Sequence, residues 1–71
     1  MPRLPRISGK EIIKRLERVG YYQTRQKGSH VWLAHEQRPP TAVPLHESVG
    51  PGLLRQILRE IKMSPEEFNE L

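Results

Sequence analysis

His30 follows Gly28 and Ser29 in the stretch "RQKGSHVWLAH", residues 25 to 35, with Arg25, Gln26 and Lys27 just before the glycine. A Gly-Ser pair between two runs of strand-forming residues fits a two-residue hairpin turn of type II′, in which the first central residue takes a positive φ. The turn needs the glycine, and a polyanion is drawn to the cations. Neither requires a histidine at the next position. Imidazole titrates near neutrality, so a histidine placed there can take or give a proton under physiological conditions.

RNA cleavage is the chemistry that this set of residues serves with the fewest parts. The ribose 2′-OH is a built-in nucleophile, so a protein supplies only alignment, proton transfer and stabilisation of a phosphorane-like transition state. His30 is the candidate general acid/base, a role worth roughly 10²–10⁴ in rate. Arg25 and Lys27 are candidate phosphate contacts, and Gly28 and Ser29 hold the turn that presents His30. From the local pattern alone, an exposed histidine without chemistry stays open as the competing reading, because most exposed histidines do none.

Other chemistries are poorly supplied. His30, His35 and His46, taken with Glu36 or Glu47, match none of the usual metal-binding spacings, so neither a metal nor another cofactor is expected. A hydrolase built on Ser29 or Ser48 needs a buried aspartate behind its histidine, and the chain has no aspartate. "GPG", residues 50 to 52, lacks the lysine and the spacing of a phosphate-binding loop and reads as a helix entry. His46 is expected to be a polar loop residue or a contact leading into the next helix, with a second proton-transfer group as the alternative.

Charge favours a polyanionic partner. Residues 1 to 35 carry eight lysines and arginines against two glutamates, while residues 36 to 71 carry four against six, so a half of net charge +6 adjoins one of −2. Such a distribution suggests a surface facing a polyanion, with a solvated mixed-charge surface as the alternative. Lys14, Arg15 and Arg18 are further candidate phosphate contacts.

These residues need a scaffold, and the local signals spell one out. Ser8 and Glu11 form a capping box before Ile12, Ile13, Leu16 and Val19, which repeat at helical spacing. Gly20 is placed to end that helix in a left-handed conformation. "YYQTRQK" and "HVWLAH" are strand-like; Val31 and Leu33 share one face, and His30, Trp32 and Ala34 the other. Trp32 is expected to pack into the core against a helix, with a base-stacking platform as the alternative. "EQRPP" is a loop, and "TAVPL", residues 41 to 45, a short strand that Pro44 places at an edge or ends. Leu53, Leu54, Ile57, Leu58 and Ile61 mark a second long helix. Ser64, Pro65 and Glu67 open a short terminal one.

The order α-β-β-β-α is most economically one α+β domain over residues 1–71. Its three-stranded antiparallel sheet carries two helices on one face, with a short C-terminal helix added. That architecture resembles the double-stranded-RNA-binding domain. At 71 residues the chain buries only about 60% of its unfolded surface, so association with a partner is expected to add stability. The N-terminus has no apolar segment typical of a signal peptide, and no run approaches a membrane span; a soluble, cytoplasmic protein is expected.

"SGKEIIKRLERVGYYQTRQKGSHVWL" followed by "VPLHESVGPGLLRQILREIKMSPEEF" resembles the HicA (YcfA-like) toxin family. The resemblance runs from Ser8 to Phe68, and its most specific element is "RQKGSH" just after "GYY". It implies a double-stranded-RNA-binding-like fold and an mRNA-cleaving toxin of a type II toxin–antitoxin pair. The family's active histidine, in its Gly-Ser-His motif, falls on His30, and the partner is a HicB antitoxin that blocks the site. "MPRLPRI" and "SPEEFNEL" are then assigned to the partner and not to catalysis. The rival reading of the same residues is a non-catalytic RNA-binding module; a purely protein-binding domain is the third.

Overall fold

The computed structural model describes residues 3–71, in the order α1 (Gly9–Glu17), β1 (Tyr22–Lys27), β2 (His30–Ala34), β3 (Thr41–Pro44), α2 (Pro51–Glu60) and α3 (Pro65–Asn69). The strands form one antiparallel sheet in the order β1-β2-β3. This is the α+β arrangement expected from the pattern of caps, turns and periodicities.

α1 and α3 start where their serine caps signal it, while α2 begins at Pro51, two residues ahead of its apolar stripe. Ser8 Oγ accepts from the Glu11 N–H at 3.0 Å, and Ser64 Oγ from the Glu67 N–H at 3.1 Å. Each bond satisfies one of the N–H groups a helix start leaves without an internal partner. The reciprocal half of the capping box differs from expectation. The Glu11 carboxylate turns along the helix and takes Arg15 Nε at 3.0 Å, a pairing that the i, i+4 spacing favours.

Helix ends are equally well defined. At the end of α1 Tyr21 N donates to Leu16 O and Gly20 N to Glu17 O, with Gly20 at φ +103°. This is the 6→1, 5→2 pattern of a Schellman motif. A side chain at Gly20 would also run into His35 Nε2.

The same pattern closes α2, with Met63 N on Leu58 O and Lys62 N on Arg59 O, but there Lys62 occupies the left-handed position at φ 58°. That conformation costs an L-residue about 1–2 kcal/mol, of which glycine's extra freedom in the unfolded chain returns about 0.5–1. Lys62→Gly is therefore expected to raise the melting temperature by on the order of 2–5 °C. A fall in calorimetry would show that the Lys62 side chain contributes more than its backbone costs.

One face of the sheet carries the core. Val31, Leu33 and Val43 point to it and meet Ile12, Ile13 and Leu16 of α1 and Leu54, Ile57 and Leu58 of α2. Leu4 and Phe68 belong to the same cluster, so each of the segments assigned to a partner also supplies a core residue. Met1 and Pro2, part of the first of those segments, lie outside the described residues. Ile7 bridges to Val49, and Asn69 Nδ2 donates to Arg3 O, holding the N-terminal segment along the helical layer.

β1 differs from the other strands: all six of its residues are exposed. Thr24 is an extra residue in the register, a bulge between Gln23 and Arg25, and such a kink blunts an edge strand against unwanted pairing.

Candidate functional site

The turn is the one that the Gly-Ser pair calls for. Gly28 takes φ +59° and Ser29 does not take a positive φ, which satisfies type II′ and excludes type I′. Lys27 pairs with His30 across it. Gln26 Nε2 donates to Gly28 O at 3.1 Å, and Leu45 N donates to Ser29 O at 2.6 Å. The turn is thus tied to β1 on one side and to the chain leaving β3 on the other.

Cross-strand partners project to the same face, and here that places the chemistry. Val31 and Leu33 face the helices, so His30 and Trp32 lie on the uncovered face. Lys27 is opposite His30, and Arg25 opposite Trp32. The Arg25 guanidinium carbon sits 4.5 Å from the centre of the Trp32 ring, and the His30 and Trp32 ring centres are 6.2 Å apart. Two cations, an imidazole and an indole therefore share one open surface.

Trp32 corrects the expectation of core packing. It is half-buried and does not belong to the core. The helices had two apolar faces of β2 to choose from. Val31 and Leu33, with Val43 on β3, make the better close-packed surface, and this leaves the indole on the outside.

Not all candidate cations come to this face. Lys14 lines a shallow groove with Lys10, Gln23 and Gln26 on the helical side of β1. Arg15 pairs with Glu11 and lies over the Phe68 ring, 5.0 Å from its centre. Arg18 is exposed at the C-cap of α1. The structure brings Arg25, Lys27 and the Ser29 turn to His30, and leaves Lys14, Arg15 and Arg18 on the helical layer.

The histidines part company as well. His35 Nε2 lies 2.7 Å from Val19 O, and its Nδ1 accepts from Gln37 N–H at 2.9 Å. Its proton therefore sits on Nε2 and both ring nitrogens are committed, which leaves no lone pair for a metal. Tyr21 packs beside it with ring centres 4.8 Å apart and donates its OH to Pro39 O at 2.9 Å. Burial pushes the Tyr21 phenol above its usual pKa, opposed by the nearby Arg38 charge. These bonds lock the "EQRPP" loop to the end of α1. Among the described residues no group of three or more metal-ligand side chains converges.

His46 is exposed, and its carbonyl accepts from Gly9 N at 2.9 Å. Its side chain lines the same hollow as His30, an open depression of about 600 Å³ that runs around the β3 edge from the uncovered face to the flank of α2. Leu53, Gln56 and Glu60 of α2 form the far wall. Sequence reasoning missed these three. Leu53, part of the apolar stripe, is 39% exposed, whereas its neighbour Leu54 points to the core. The available signal was the spacing 53, 56, 60, which puts three residues on one flank of a helix.

Among the described residues no helix is long and apolar enough to cross a membrane. No curated protein matches the chain. The family model described as "HicA toxin of bacterial toxin-antitoxin" matches residues 9–63, from the first residue of α1 through the Schellman close of α2 and including every residue of the His30 face. This chain belongs to the HicA toxin family.

Proposed function

We propose that this toxin is a metal-independent endoribonuclease that cleaves mRNA in the cytoplasm, with His30 as general acid/base. The observation that carries the reading is the sharing of one uncovered sheet face by His30, Lys27 and Arg25 at paired strand positions. His30 takes the proton of a ribose 2′-OH as its oxygen attacks the adjacent phosphorus. The bond from phosphorus to O5′ then breaks, leaving a 2′,3′-cyclic phosphate and a 5′-hydroxyl end. The leaving oxygen must gain a proton, and His46, on the same hollow, is the second candidate to supply it. Lys27 and Arg25 offset the charge that builds on the phosphorane oxygens, and Ser29 lies at the turn beside them. Lys14 and Arg18 act from the helical layer by raising the potential that draws the strand in. The partner is a HicB-type antitoxin.

The test is incubation of purified toxin with single-stranded RNA, with and without EDTA, followed by end-group analysis. Cleavage that persists in EDTA and leaves cyclic phosphate ends is expected. Loss of cleavage in EDTA would overturn the metal-free mechanism, and binding without cleavage would make the protein an RNA-binding module.

A companion expectation concerns salt. Log affinity should fall linearly with log salt, by about 0.7 per phosphate contact on a single strand. Arg25→Ala or Lys27→Ala should weaken binding to all sequences alike and flatten the slope by about one contact. A flat response in the wild type would remove the phosphate-contact argument.

A further inference from the structure

The hollow beside His30 carries a charge of the wrong sign for a phosphate. Glu60 is exposed on its wall, and among the described residues its carboxylate makes no ion pair. Its Oε1 accepts from Thr41 Oγ1 at 3.0 Å, which fixes the group from β3 and leaves Oε2 open. Gln56 lies one turn earlier on the same flank of α2. The cations Arg25 and Lys27 come from β1, on the opposite side of β2. Trp32 stands between, lining the hollow while Arg25 covers it from the β1 side.

An RNA strand crossing this surface thus meets two environments. Its phosphates are favoured at β1 and repelled at Glu60. What suits Glu60 is the uncharged, donor-bearing edge of a base, which a single strand leaves free. The four bases differ there. Guanine presents two adjacent donors, N1–H and the exocyclic N2 amine, with the O6 acceptor beside them. Adenine and cytosine each set one donor next to an acceptor nitrogen that a carboxylate repels, and uracil sets its one N–H between two carbonyls. A carboxylate accepts two donors side by side, and a glutamine amide can donate to O6.

We propose that the hollow is a guanine-binding subsite of the RNA surface, in which Glu60 takes N1–H and N2–H, Gln56 donates to O6, and Trp32 supplies the stacking wall. It rests on the reading of this face as an RNA site. It adds a base preference, and with it a polarity: phosphates lie toward β1 and one base toward α2.

Trp32 is the sole tryptophan, so its fluorescence reports on this hollow directly. The experiment titrates full-length protein with single-stranded hexamers of 2′-deoxyuridine carrying one central guanine, adenine or cytosine, or none. Lacking a 2′-OH, they cannot be cut by the proposed chemistry, so binding is read independently of catalysis. A well-placed bidentate pair gives about tenfold discrimination or more, and the guanine hexamer is expected to bind the wild type at least that much more tightly. Glu60→Gln, which keeps an acceptor for Thr41, should bring the four hexamers to within about twofold of one another. Glu66→Gln, the same charge change on α3, should keep the preference. Equal affinities in the wild type, or a preference that survives Glu60→Gln, would overturn the guanine subsite even if RNA is cleaved. The preference present without any cleavage of RNA would instead overturn the nuclease reading and leave the subsite standing. No quenching by any hexamer would likewise overturn the subsite, whether or not RNA is cleaved.

Discussion

Replacing His30 with alanine is expected to abolish RNA cleavage and the growth arrest caused by the induced toxin, while the fold survives. The loss follows from the role: a positioned proton-transfer group contributes roughly 10²–10⁴ in rate. Among the described residues the other imidazole lining the hollow is that of His46. Survival of the fold follows from the position. His30 is exposed, and its neighbours across the sheet are held by the turn and by the Leu45–Ser29 backbone bond, not by the imidazole. Exposed substitutions of this kind usually change stability by less than about 0.5 kcal/mol. Circular dichroism and thermal melting should therefore match the wild type, while RNA from induced cells stays intact. Undiminished cleavage by His30→Ala would transfer the chemistry elsewhere, with His46→Ala as the next variant to make.

The antitoxin is expected to silence the toxin by covering this face. An active nuclease with an uncovered catalytic histidine would destroy its host's messages, so the family's paired arrangement needs an inhibitor that reaches the site. Arg25 and Lys27 on the fully exposed strand β1 call for an acidic partner surface, because opposite potentials speed encounter and set orientation. A partner that binds only the folded chain, at about one hundred times its Kd, stabilises by about 2.7 kcal/mol. For a domain of this size that raises the melting temperature by on the order of 10 °C or more. Complex formation should also suppress cleavage and protect His30 from diethyl pyrocarbonate, read by mass spectrometry, and His30→Ala should still bind. A complex in which His30 is as reactive as in the free toxin would rule out direct masking.

Much of the site follows from local rules acting on short stretches. A two-residue turn at Gly28-Ser29 sets Lys27 opposite His30, and the two-residue period of a strand then sets Arg25 opposite Trp32. Ser8, Gly20 and Ser64 likewise start or stop helices through bonds spanning three to five residues. Such features are determined by the sequence itself because every atom involved is close along the chain.

The tertiary structure decided what depends on competition between distant groups. Trp32 is as apolar as its neighbours, and only the packing of Val31, Leu33 and Val43 against α1 and α2 placed it outside. Lys14 and Arg18 carry the same charge as Arg25 and Lys27, but the face of α1 that turns inward leaves them on the helical layer. The hollow gathers His30 from β2, Thr41 from β3, His46 from a loop and Glu60 from the last turn of α2. Residues separated by up to thirty positions meet there because α2 buries Leu54, Ile57 and Leu58 and so presents Leu53, Gln56 and Glu60 on its flank. No local signal encodes that meeting; it is fixed by which way two apolar helices roll when they close over one face of a three-stranded sheet.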